Sequence, residues 1–249
     1  MPDPASPYAR PLADDELLAE QRDYYRQRAP EYDEWWQRAG RYDHGHHAAA
    51  DWDAQVAVLD DALRAFGATG DVLELAGGTG WWTERLARTA TTLTVVDASP
   101  ETLERNRARV GGRPSVSYVV ADLFAWEPAD RYDVVFFSFW HSHVPRSRTA
   151  AFWGLVRRCL RPDGRVFLID NRYDPSRSFV EHHIFEDSDG VQHRTLNDGS
   201  EHRLVKVFYE PDELTRLLAA EGWSAEIHAT TLFLYGSVVR DGTEGEKRT

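Results

Sequence analysis

The sequence has 249 residues, 29 Lys and Arg against 41 Asp and Glu, and a net charge of −12 at neutral pH. That acidity argues against a nucleic-acid partner held by phosphate neutralisation, and no run approaches the ~20 apolar residues that span a bilayer. Hydrophobic residues make up 42%, enough to build the core of one large α/β domain, or of one domain with an elaborated lid.

The opening stretch is proline-rich and reads as a frayed end, without the charged-then-apolar layout of a signal peptide. A helix is expected from Asp14 until Pro30, carrying Leu17, Leu18, Tyr24, Tyr25 and Arg28. Adjacent tyrosines cannot share one helix face, so one is expected against the core and the other toward a ligand. An aromatic patch at Tyr32, Trp35 and Trp36 leads into a polar loop over 41–47, and a helix over 51–66 stops at Gly67.

Strands and helices then alternate. Strands are expected over 71–75, 92–97, 116–120, 132–138 and 165–170, with helices over 80–89, 100–110 and 147–160. Arg161-Pro162-Asp163-Gly164 reads as the stop of the last helix. This alternation implies βαβ units and a mostly parallel sheet. After Asp170 the rhythm changes. Segments 191–196 and 201–209 flank Asn197-Asp198-Gly199-Ser200, a hairpin signal. A helix over 211–221 opens on Pro and ends at Gly222, and strands over 224–230 and 231–240 precede a charged tail. The expected organisation is a helical cap over 1–66, a core over 67–240 with a lid insertion over about 171–210, and a flexible tail over 241–249.

The chemistry concentrates at three strand ends. Leu75-Ala76-Gly77-Gly78-Thr79-Gly80 places a glycine-rich turn directly after a buried strand, where the backbone can take positive φ and a ligand can approach closely. Its spacing is neither Gly-x-Gly-x-x-Gly nor a phosphate loop. Asp97 ends the next strand, and its two oxygens suit a ribose diol. Asp122 follows the third strand and suits an adenine amino group, with Leu123 and Phe124 placed to cover the ring. Cys159, the only cysteine, lies on an apolar helix face and reads as a core residue in a cytoplasmic protein. The ten histidines include His44, His46 and His47, but no Cys pair or His-Glu-x-x-His pattern accompanies them, so no metal is expected.

Together these segments resemble the class I S-adenosylmethionine-dependent methyltransferases. Glu74–Gly80 is similar to their first motif, Val95–Ser99 to the second and Ala121–Phe124 to the third. Tyr132–Pro145 is similar to the fourth-strand segment, and Leu160–Asp170 to the turn into the fifth strand. Tyr24–Asp33 resembles the cap of small-molecule members. The first motif departs mildly, with Ala76 in place of a usual glycine. The resemblance implies a Rossmann-like α/β fold, a seven-stranded mostly parallel sheet with its last strand antiparallel, and S-adenosylmethionine across the strand ends. It places the methionine moiety along Ala76, Gly77, Gly78 and Gly80, with Glu74 either ordering the turn or meeting the cofactor's amino group indirectly. It assigns Asp97 to the ribose hydroxyls, Asp122 and Leu123 to the adenine, Arg28 to the cofactor carboxylate, and Tyr24, Ala98, Phe124 and Ser138 to further cofactor contacts.

Methyl transfer from a sulfonium is an in-line displacement, so the protein positions a nucleophile and, where needed, removes its proton. Histidine titrates near neutrality and suits that task. The catalytic candidates are His141, with His143 beside it, at the end of the fourth strand; Glu181 and His183, with His182, in the lid insertion; and Tyr25 on the cap helix. The aromatic residues Trp81, Trp82, Phe139 and Trp140 point to an aromatic or indole-like specialised metabolite as acceptor, bound by a monomer or homodimer. Two alternatives remain: a non-catalytic module binding S-adenosylmethionine or S-adenosylhomocysteine, and an NAD-dependent oxidoreductase.

Overall fold

The computed structural model describes residues 13–173 and 190–242. Glu181, His182 and His183 therefore lie outside the described residues.

The N-terminal segment forms α1 (Asp14–Arg28), α2 (Tyr32–Gln37) and α3 (His46–Phe66). α1 opens with Asp14, Asp15 and Glu16 and ends with Arg26 and Arg28, which complements the helix dipole at both ends. α3 starts at His46, inside the stretch expected as a loop. Gly45, at φ 85°, enters the helix, and Asp43 Oδ1 accepts from its amide at 2.9 Å. The first turn is solvent-facing, so it carries no apolar periodicity to announce it.

The alternating segment gives β1 (Gly70–Leu75), α4 (Thr83–Leu86), β2 (Ala90–Asp97), α5 (Pro100–Val110), β3 (Val116–Val120), β4 (Tyr132–Ser138), α6 (Thr149–Cys159) and β5 (Leu160–Asn171). β6 (Val191–Thr195) and β7 (Glu201–Val205) follow, then α7 (Pro211–Ala220), β8 (Trp223–Ala229) and β9 (Phe233–Arg240). The seven-stranded sheet has the order β3-β2-β1-β4-β5-β9-β8. Strands β1 to β5 pair in parallel and β9 runs antiparallel to both neighbours, as the resemblance implies.

Both faces of the sheet are covered, and successive strand residues feed opposite layers. Leu73, Val135 and Phe137 pack with Phe152 and Trp153 of α6 and Leu218 of α7. Val72, Val134 and Phe136 pack with Leu59 and Leu63 of α3, Leu86 of α4 and Leu103 of α5. Three further boundaries differ from expectation. α4 is a single turn, because tight turns such as Thr89 N to Leu86 O (3.1 Å) follow it and Thr89 Oγ1 donates to Ala68 O at 2.7 Å. The 161–164 stretch lies within β5 as a bulge, since Tyr132 pairs with Leu160 while Val134 pairs with Arg165. β7 stops at Val205, because the chain then turns to hydrogen-bond the Ser142 carbonyl through Val207 N at 2.8 Å.

The β6–β7 hairpin lies on α1, and the two form a roof over the sheet's carboxyl ends. Arg203 pairs with Glu20 at 3.0 Å, and Gln21 Oε1 accepts from Val205 N at 3.0 Å. Tyr24 packs with Leu196 and Leu204. Asn197 N donates to Glu31 Oε2 at 3.0 Å, which joins the hairpin tip to the start of α2.

Candidate functional site

The glycine turn begins with Ala76 in the left-handed region, at φ 52°, a conformation that costs a non-glycine residue about 1–2 kcal/mol. Gly77 N donates to Val96 O at 3.1 Å, which fastens the turn to β2. A Cβ on Gly77 would lie 2.3 Å from Val95 Cγ1, so only glycine fits against that strand. The turn is gripped from α5. Asn106, fully buried, directs Nδ2 at Gly77 O (3.2 Å) and Gly78 O (3.1 Å), and Arg109 Nε donates to Thr79 O at 2.9 Å. Three consecutive carbonyls are thereby held by side chains of one helix.

Glu74 sits behind this turn, 1% exposed, with Oε2 accepting from Thr83 Oγ1 at 2.6 Å. Thr83 Oγ1 in turn accepts from Asn106 Nδ2 at 2.7 Å. Burial pushes the Glu74 carboxyl up to about 8, against the smaller effect of the Thr83 hydrogen bond, so it carries a proton at neutral pH.

Asp97 stands at the end of β2 with both oxygens engaged by amides: Oδ2 by Gly78 N at 3.0 Å and Oδ1 by Ser99 N at 2.9 Å. Burial raises its pKa, and those amide donors oppose the rise. Beyond β3, Asp122 Oδ1 accepts from Phe124 N at 3.0 Å, and Oδ2 pairs with Arg22 of α1 at 2.8 Å. Phe124 leans on Trp140, with ring centroids 5.8 Å apart. Between these strand ends and the roof lies a cleft of about 790 Å³, its open mouth included. Tyr25, Ala76, Gly78, Asp97, Ala98, Asp122, Leu123, Phe124 and Ser138 line it, together with Tyr32, Phe139, Trp140 and His143.

Some expected residues are elsewhere. His141 does not face the cleft. It is buried against Phe152, Trp153 and Tyr209, with Nε2 accepting from Trp153 Nε1 at 3.1 Å. Burial drives its pKa down to about 4, so it is a neutral core residue. Tyr24 likewise points into the roof, beside His202, while Tyr25 takes the cleft side. Gly77, Gly80 and Glu74 support the turn from behind instead of lining the cleft.

His143 is the histidine at the cleft. Its Nδ1–H donates to Val205 O at 2.6 Å, which leaves Nε2 to accept from the Tyr25 hydroxyl at 2.7 Å. Burial, then the nearby cations Lys206, Arg194 and Arg28, hold it well below the ordinary histidine range, that is, neutral. Those three cations lie close enough to act on His143, although none is among the residues that line the cleft. Lys206 is 4% exposed; its Nζ donates to Ser142 Oγ at 2.7 Å and lies 3.6 Å from Asp170 Oδ1. Burial lowers its pKa to about 8. Arg194 reaches Gln192 Oε1 at 2.8 Å, and its buried Nε has no hydrogen-bond partner among the described residues. Arg28 is buried, donates to the Tyr42 hydroxyl at 3.2 Å and lies 4.8 Å over the Tyr32 ring. Sequence reasoning passed over Arg194 and Lys206. A lone lysine inside Leu204-Val205-Lys206-Val207-Phe208 was the one signal for either.

The residues present fit S-adenosylmethionine. The cleft runs past Gly78, where a Cβ would meet nothing within 4 Å, to Asp97 and Asp122. Beyond Tyr32 lies Arg28, a buried guanidinium without a carboxylate partner among the described residues. Residues 72–164 match the family described as Methyltransferase domain. The DhpI–SAH complex is 35% identical, covers 92% of this chain and all of its own, and superposes with a TM-score of 0.76. The DhpI–SAM–HEP complex is 37% identical over the same shares, with a TM-score of 0.75. Nodulation protein S from Rhizobium tropici is 29% identical over 105 residues, 41% of this chain and 43% of that protein. The chain thus spans less than half the length of the curated relatives it matches. No described helix is long and apolar enough to cross a membrane. The chain belongs to the S-adenosylmethionine-dependent methyltransferases.

Proposed function

We propose that this methyltransferase acts on a small acceptor carrying an anionic group, held beside the Tyr25–His143 pair. The observation that carries this reading is the gathering of Arg28, Arg194 and Lys206 around one neutral histidine, with Asp170 offsetting one of the three. The orphaned guanidinium Nε of Arg194 is costly unless a ligand oxyanion completes it. S-adenosylmethionine supplies a methyl group on a sulfonium. Arg28 binds the cofactor carboxylate, Asp97 the ribose hydroxyls and Asp122 the adenine amino group. Arg194 and Lys206 orient the acceptor anion, and Tyr25, held by His143 Nε2, fixes its approach to the methyl. An oxyanion acceptor needs no proton removed, which agrees with a dyad whose histidine is already hydrogen-bonded at both nitrogens.

The aromatic acceptor expected from the sequence has less support. Trp35, Trp36 and Trp52 pack edge-on against one another, and Trp81 stacks on Trp36 at 5.1 Å, so these rings are occupied by the core, whereas Phe139 and Trp140 do line the cleft. The deciding experiment supplies S-adenosylmethionine with a panel of small carboxylates, phosphates, phosphonates and sulfonates alongside neutral indoles, and follows S-adenosylhomocysteine release. Turnover confined to anions supports the proposal, and equal turnover of neutral indoles overturns it. Lys206→Met should raise KM for the anion by about thirtyfold, about 2 kcal/mol. Lys206 is charged below its pKa of about 8 and neutral above it, so wild-type kcat/KM should fall as pH rises through about 8. The Met variant should lack that limb.

A further inference from the structure

Asp33, near the start of α2, receives three hydrogen bonds from two other parts of the chain. Oδ1 accepts from Thr79 Oγ1 at 2.6 Å and from Trp81 Nε1 at 3.1 Å. Oδ2 accepts from Arg109 Nη2 at 2.6 Å. Arg109 is the α5 residue whose Nε holds Thr79 O, and its guanidinium lies 4.5 Å over the Trp81 ring. Trp81 also stacks on Trp36 of α2. One carboxylate thereby joins the cap, the glycine turn and α5. Asp33, Arg109 and Trp81 are not among the residues lining the cleft, so this junction acts on ligands only through what it holds. Its sequence neighbour Tyr32 does line the cleft and lies beneath Arg28.

We infer that Asp33 is a positioning residue that couples the seating of the cap to the shape of the cofactor turn. With Asp33 in place, Arg109 is oriented to grip Thr79 O, and Thr79 and Trp81 are drawn to the cap. Without it, Arg109 loses its anionic partner and the turn loses its link to α2, so the cofactor meets a looser cradle. Such coupling is reciprocal: a ligand that orders the turn also seats the cap. The inference needs the cofactor that family membership establishes, and not the anionic acceptor proposed above.

The test titrates S-adenosylhomocysteine into the full chain and into Asp33→Asn, Asp33→Ala, Arg109→Gln and the Asp33→Asn/Arg109→Gln double variant. Binding is read by calorimetry and by tryptophan emission, since Trp36 and Trp81 form the junction. Asp33→Asn should weaken binding by about tenfold, within the usual range for coupled sites. The double variant should lose no more than the worse single one, and the emission change at saturating ligand should be reduced in each. A merely structural residue would lower the unfolding midpoint without this non-additivity. Wild-type affinity in folded Asp33→Asn, or losses that add in the double variant, overturns the inference. If the alanine variant does not fold, the isosteric asparagine decides.

Discussion

Glu74 shows how one residue can look like a ligand in sequence and act as a support in structure. Its carboxyl is sealed behind the glycine turn and hydrogen-bonded to Thr83, and burial lifts its pKa from 4.5 to about 8. The sign of the consequence follows from proton counting. Between about 4.5 and 8 the folded chain binds a proton that the unfolded chain has released, so stability declines as pH rises through that window. The decline is bounded by about 1.4 kcal/mol for each tenfold change in proton affinity. Glu74→Gln, which cannot ionise, should therefore raise the unfolding midpoint more at pH 8 than at pH 5. Urea denaturation at both values checks this, and equal changes at the two pH values would contradict it. The same contrast separates His141 from His143. They are two residues apart on one short turn, yet one turns into the α6 packing and the other to the cleft. Nothing in His141-Ser142-His143 itself distinguishes them, because the choice is made by Trp153, Val205 and Tyr25, which arrive from distant parts of the chain.

At the level of elements, the roof depends on α1 and the β6–β7 hairpin holding each other. Arg203 donates through Nε and Nη2 to Glu20 Oε2, while Glu20 Oε1 takes the Arg203 amide at 2.6 Å. Both side chains are largely buried, at 12% and 21% exposure, so screening by water discounts the pair only in part. Arg203→Ala should cost about 1.5–3 kcal/mol, typical of hydrogen bonds to charged groups. Chemical denaturation measures it, and an unchanged midpoint would mean that the roof is held elsewhere. Elements with apolar periodicity were legible in the sequence: β1, β2, β4, α5, α7 and the hairpin turn arise where alternation and turn residues placed them. Those that differed are governed by tertiary contacts. α3 gains a polar first turn, α4 shrinks to one turn, and the Arg161–Gly164 stretch bulges inside β5 because Leu160 pairs with Tyr132. The three strand-end groups at Gly78, Asp97 and Asp122 were readable because the spacing of βαβ units fixes where strand ends fall. Arg194 and Lys206 were not, since their place near His143 depends on how a hairpin folds back over the sheet.

For the molecule as a whole, a ligand that binds only the folded chain must stabilise it. S-adenosylhomocysteine at one hundred times its dissociation constant should add about 2.7 kcal/mol to unfolding. A rise in midpoint with that nucleoside and none with NADH is the expected outcome of thermal scans. A rise with NADH alone would contradict the reading of the glycine turn. The antiparallel course of β9 carries a practical corollary. Phe233 pairs with Asn171 at the cleft end of β5, whereas Val239 pairs with Arg165 at the opposite end. The backbone therefore leaves the sheet at Arg240, roughly 20 Å from the strand tips that frame the cleft. A dye or a surface tether grafted at Gly242 would sit at the far pole of the domain, which leaves the entrance open to titrants and makes immobilised formats suitable for measuring ligand exchange.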